Sequence, residues 1–159
     1  MDMPTANVNR STAPLKNVVN MMVLIDAMRS RDQHSSSLAL FSGPSGYGKS
    51  FAARYAQNAT QGIYVEVKFG WTRKIFLSSL LIELGETSPR GTCGDMYLEI
   101  VKRLGGDPTR PLIIDEADYL LAKGLVEYAR DFGDSTGVPV ILIGEEKLPS
   151  KLKAIEKVD

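Results

Sequence analysis

Leu38-Ala39-Leu40-Phe41-Ser42-Gly43-Pro44-Ser45-Gly46-Tyr47-Gly48-Lys49-Ser50 is the stretch on which the reading of this chain turns. Leu38–Phe41 is a short apolar run that stops at glycine, as a buried strand does, and Lys49–Asn58 reads as a helix. Between them, Gly43–Ser50 matches the pattern GxxxxGK[ST], in the strand-to-helix context its mechanism requires. The glycines let successive backbone N–H groups converge on phosphate oxygens, and the helix that follows adds the positive end of its dipole. Lys49 is placed to reach the β and γ phosphates of a nucleotide, and the Ser50 hydroxyl to ligate magnesium. The expected nucleotide-contacting residues are Gly43, Pro44, Ser45, Gly46, Tyr47, Gly48, Lys49, Ser50 and Phe51. The bland alternative, a Gly-rich turn that happens to precede a helix, must explain four fixed residues in the right flanks.

The same rhythm continues on both sides. Upstream, 1–13 reads as a flexible polar segment, Leu15–Arg29 as an amphipathic helix after Pro14, and Ser30–Ser37 as a polar loop. Downstream, Ile63–Val67 reads as a strand, Thr72–Leu84 and Asp95–Leu104 as helices, and Pro111–Asp115 as a strand. Tyr119–Phe132 reads as one helix, Asp134–Gly137 as a turn, Val138–Ile143 as a strand and Lys147–Val158 as a last helix. Strands that alternate with helices need crossover connections, which build a parallel sheet covered on both faces. Ligands in such folds bind at the carboxyl ends of the strands.

Leu112-Ile113-Ile114-Asp115-Glu116 puts two carboxylates at one of those ends. Asp115 suits magnesium, directly or through water, and Glu116 suits polarising an attacking water, so Glu116, Lys49 and Asp115 are the expected catalytic groups and Ser50 and Asp115 the expected metal pair. The competing reading is a solvated acidic helix start, which is the favoured one for Asp118.

Composition sets bounds around this. A chain of 159 residues, 43% of them hydrophobic, can bury one core, so a single domain over 14–159 is expected. The 19 basic and 19 acidic residues cancel, so any nucleic-acid contact must come from a local patch. Cys93 is the only cysteine and His34 the only histidine, which excludes a disulfide within the chain and a zinc site of ordinary ligand count, and neither has a visible catalytic partner. No signal-peptide pattern and no membrane-length apolar run is seen, and a cytoplasmic setting without a membrane partner is expected.

The Gly43–Ser50 cradle, the Leu112–Glu116 acidic strand and the Val138–Gly144 strand together resemble the AAA+ ATPases over roughly residues 15–159. The resemblance implies a P-loop NTPase fold, a three-layer αβα sandwich with a parallel sheet, with ATP and Mg2+ as cofactors. It also implies that the Val138–Ile143 strand lies between the cradle strand and the acidic strand, with a sensor residue at its end, here Glu145. Ile114–Asp118, its following helix and Gly137–Gly144 look like the DNA transposition B proteins of Mu-like phages and their transposon relatives. That narrower likeness implies an ATPase that assembles with ATP as a homo-oligomer or filament on double-stranded DNA, recruits or stimulates a transposase, and works in a bacterial host cytoplasm if phage-encoded. AAA+ proteins also carry an arginine finger beyond the sensor strand and a small helical lid; no arginine follows Arg130 and the chain stops at Asp159. The sequence therefore reads as a core truncated at its carboxyl end, without the lid, and slow in hydrolysis by itself.

For DNA, Lys68-Phe69-Gly70-Trp71-Thr72-Arg73-Lys74 combines three cations with two aromatics, and Lys68, Trp71, Thr72, Arg73 and Lys74 are the expected contacts. The alternative has Trp71 anchoring a helix in the core while the cations are solvated. Asn9–Thr12 lies where the family contacts adenine, although Ser11 or Thr12 as a helix cap is the simpler reading. Rival functions share the cradle: a helicase-loading or secretion ATPase, a small-molecule kinase, or an ATP-gated scaffold without turnover.

Overall fold

A computed structural model describes residues 6–46 and 48–157, with side chains from Leu15 onward. The order is α1 (Ala6–Arg29), β1 (Leu38–Ser42), α2 (Lys49–Thr60), β2 (Ile63–Glu66), α3 (Arg73–Glu83), α4 (Cys93–Gly105), β3 (Leu112–Asp115), α5 (Ala117–Ala122), α6 (Val126–Thr136), β4 (Val140–Gly144) and α7 (Leu148–Glu156). The four strands are parallel in the order β1-β4-β3-β2. The expected placement of the last strand between the cradle strand and the acidic strand is thereby met.

Every residue of β3 and β4 is buried, as two central strands covered on both faces must be. Alternation along the pleat sorts their side chains into two cores. Tyr64, Ile113, Ile141 and Ile143 face α1 and α2, meeting Met21, Ile25, Ala52, Ala53 and Ala56. Ile63, Val65, Leu112, Ile114, Val140 and Leu142 face the other way, onto α3 to α7, with Phe76, Ile100, Phe132 and Leu148 among their partners. This is the three-layer αβα sandwich. Small alanines on α2 let it lie close to the sheet, which brings the amino end of α2 up to the strand ends. Each fully buried aliphatic side chain contributes on the order of 1.5–3 kcal/mol.

Several boundaries differ from the sequence reading, and three of the differences change which element a residue belongs to. α1 starts at Ala6 rather than Leu15, so residues 6–13 belong to the helix, and Ser11 and Thr12 lie inside it rather than at its start. Pro14 also falls inside, where it costs the helix one backbone donor without ending it. The single helix expected over Tyr119–Phe132 is two, α5 and α6, because Gly124 takes a left-handed backbone (φ 69°) and turns the chain between them. Finally, α6 continues through Asp134 to Thr136, and only Gly137 (φ 80°) ends it. Among the described residues, no helix is long and apolar enough to cross a membrane.

Candidate nucleotide site

The cradle sits at the carboxyl edge of the sheet, between β1 and α2. Gly46 and Gly48 both have φ of 80°, a conformation that turns successive N–H groups inward. Tyr47 lies outside the described residues. Lys49 Nζ donates to the carbonyls of Gly43 and Pro44, each at 2.7 Å, which holds the ammonium across the loop it serves. Ser45, Gly46, Gly48, Lys49, Ser50 and Phe51 line a cavity closed on its other side by Asp115, Glu116, Gly144 and Glu145. Of the expected contacts, Phe51 is 57% exposed, so its ring forms a rim rather than a wall.

Asp115 is 2% exposed at the end of β3. Its Oδ2 accepts from Ser50 Oγ at 2.6 Å and from Tyr64 OH at 2.6 Å, and its Oδ1 from the Glu116 backbone N–H at 2.8 Å. A buried carboxylate without such donors would be costly. Because Ser50 gives its proton to Asp115, its oxygen keeps lone pairs to offer, and the pair brings two hard oxygens to the wall of the cavity.

Glu116 turns the chain from β3 into α5 with φ 55° and ψ 41°. A left-handed conformation in a residue other than glycine is uncommon, and here it aims the carboxylate at the cavity. Burial pushes its proton affinity up, and the charges of Asp115, Glu145, Glu66 and Asp118 push it in the same direction. A carboxylate so placed is a better proton acceptor than a solvated one.

Glu145 follows β4 directly, and its Oε1 accepts from Ser45 Oγ at 2.6 Å. Its backbone N–H donates to Asp118 Oδ2 at 2.9 Å, while Asp118 Oδ1 pairs with Lys151 Nζ at 2.8 Å. Asp118, read from sequence as a helix-start residue, is thus also the peg that ties the end of β4 to α5 and α7. A side chain at Gly144 would collide with Asp118 and Leu148, so the close approach depends on that glycine.

The expected DNA-contacting residues follow the carboxyl end of β2, at the same edge, each with its own surroundings. Lys68 pairs with Glu66 at 2.9 Å, Trp71 packs half-buried on the core, and Thr72 caps α3 by accepting from the Ile75 N–H at 3.3 Å. Arg73 lies 5.8 Å from the Tyr128 ring centroid, and Lys74 is exposed. The exposed residue that the expectation left out is Phe69, at 86% exposure, with its ring edge-on to Tyr119 at 6.1 Å. Tyr64 was also missed; its signal is a tyrosine among apolar residues of a strand, a phenol that must find a partner once buried.

A parallel sheet with a phosphate loop after its first strand and a hydroxyl–carboxylate pair beside it defines a P-loop NTPase. The chain belongs to the AAA domain family, whose model matches residues 31–152, taking in all four strands, the cradle and both strand-end carboxylates. It is therefore an AAA-type P-loop ATPase core, and a nucleotide-binding one. No curated protein matches the chain.

Proposed function

We propose that this ATPase core serves a regulator of DNA transposition. With ATP bound it assembles as a homo-oligomer or filament on double-stranded DNA and recruits or stimulates a transposase; hydrolysis releases it. The observation that carries this reading is the loop 67–72. It stands at the same edge as the nucleotide, bears Lys68 and leads into Arg73 and Lys74 at the start of α3, and touches α5 through Phe69 and Tyr119, a turn beyond Glu116. The exposed Lys68–Glu66 pair is worth little in water and yields readily to a phosphate. The narrower resemblance to the transposition B proteins supplies the partner.

In this reading the loop amides and Lys49 hold the phosphates, and Glu116 accepts a proton from the attacking water. Ser50 and Asp115 fit magnesium, which with nucleotides takes one or two protein oxygens besides phosphate and water. When bound, the ion would neutralise charge on the phosphate oxygens. Glu145, bridged to Ser45, reports the phosphate loop to β4. A helicase-loading ATPase shares all these residues and differs in its partner.

The test is binding of a fluorescent DNA duplex with and without ATP at two salt concentrations, for the native chain and Lys49→Ala. ATP-dependent binding that weakens with salt and is lost in the variant is the expected result. Binding of ATP without any DNA response would refute the DNA-coupled reading while leaving the ATPase intact.

A further inference from the structure

We infer that Tyr64 is a positioning residue for the metal pair, holding the Asp115 carboxylate in the orientation from which it serves Ser50. The inference rests on the reading of Ser50 and Asp115 as the cation's protein ligands.

The register of the sheet makes the contact available. Tyr64 lies opposite Ile113 and Glu66 opposite Asp115, so Tyr64 and Asp115 share a face, with Tyr64 one pleat behind. The phenol spans that pleat, and its hydroxyl donates to Asp115 Oδ2 at 2.6 Å. Ser50 Oγ donates to the same oxygen at 2.6 Å from α2, and the Glu116 N–H holds Oδ1 at 2.8 Å. Donors on three separate segments therefore set the carboxylate plane. Remove the one from β2 and Asp115 keeps a single side-chain donor, Ser50, the group that must itself turn its oxygen to a cation.

Packing alone does not ask for the hydroxyl. Tyr64 is 4% exposed, and its ring rests on the apolar cluster of α1, α2 and the sheet, with the Arg54 guanidinium 4.0 Å from its centroid on the outside. A phenylalanine fills the same volume. Placing a hydroxyl here costs desolvation that only a partner repays, and Asp115 is the partner the described residues provide.

The experiment uses Mn2+ as the probe, followed by electron paramagnetic resonance with a non-hydrolysable ATP analogue bound. Native chain, Tyr64→Phe, Asp115→Asn and the double variant are compared. Metal-free nucleotide affinity should stay the same in Tyr64→Phe, because the phosphate loop is untouched. Mn2+ affinity should fall about tenfold, in the range seen when groups that orient metal ligands are removed. In the Asp115→Asn background the tyrosine substitution should add no further loss, since Tyr64 acts through Asp115. Mn2+ affinity within twofold of native in Tyr64→Phe, with Asp115→Asn impaired, would overturn the positioning role and leave Tyr64 a core residue. If Asp115→Asn and Ser50→Ala both bind Mn2+ normally, the assignment of the metal pair itself fails, which is a different result.

Discussion

Glu116 concentrates the chemistry in one residue. Its left-handed backbone stores strain at the point where β3 becomes α5, and burial, with the charges of four other acids added to it, favours the protonated form of its carboxyl. Glutamine keeps the shape of the side chain but cannot accept the proton. Glu116→Gln should therefore lower the rate of phosphate release by about 10²–10⁴ while leaving nucleotide affinity unchanged, measured by steady-state release and by fluorescent-nucleotide titration. Retained turnover would move the role to another acid, Glu145 being next along the cavity. At this scale Lys49, Ser50, Asp115 and Glu116 were legible because their chemistry is written in local spacing. Tyr64 and Asp118 were not, because each acts on a residue that only the sheet brings near.

At the scale of elements, α4 shows how local signals specify a boundary. Thr92 Oγ1 accepts from the Asp95 N–H at 3.1 Å, and Asp95 Oδ2 accepts from the Thr92 N–H at 2.9 Å, a reciprocal capping box. Thr92→Ala should cost about 1 kcal/mol, measured by urea unfolding. The bonds from Thr92 hold the Asp95 carboxyl below its ordinary value of 3.8. With a depressed acid the folded state binds fewer protons than the unfolded state, so the contribution is fully present above the ordinary value and fades as pH falls through the lower, folded one. The destabilisation caused by Asp95→Ala should accordingly be seen at pH 7 and vanish in strong acid; a penalty constant across that range would show that packing, not the charge, is lost. The expected start at Asp95 was two residues late because apolar periodicity marks the helix body, whereas the cap lies ahead of it. The split of α5 from α6 was legible only in Gly124, and a glycine inside a helical pattern does not by itself say that the helix ends there.

Taken whole, the molecule is a sheet with one core on each side, and the nucleotide edge is built from the ends of both. Ile141 lies in central β4, fully buried against α1 and α2. Ile141→Ala should cost about 2–5 kcal/mol in urea unfolding, a large part of the stability of a domain this size. Nucleotide should stabilise the fold in turn: with magnesium and ATP at a hundred times the dissociation constant, the unfolding free energy should rise by about 2.7 kcal/mol, and Lys49→Ala should abolish the gain at the same ligand concentration. A gain that survives in the variant would mean the ligand is held elsewhere.

The amino-acid sequence by itself determined the phosphate loop, the acidic strand end, the alternation of strands and helices and hence a covered parallel sheet. All of these depend on residues within a few positions of one another, where spacing translates directly into geometry. Only the tertiary structure decided that Tyr64 donates to Asp115, that Asp118 ties Glu145 and Lys151 together, that Trp71 packs on the core and that Phe69 meets Tyr119. Those pairs are joined by sheet register and helix packing across tens of residues, and register is set by the burial of both faces at once rather than by any one segment.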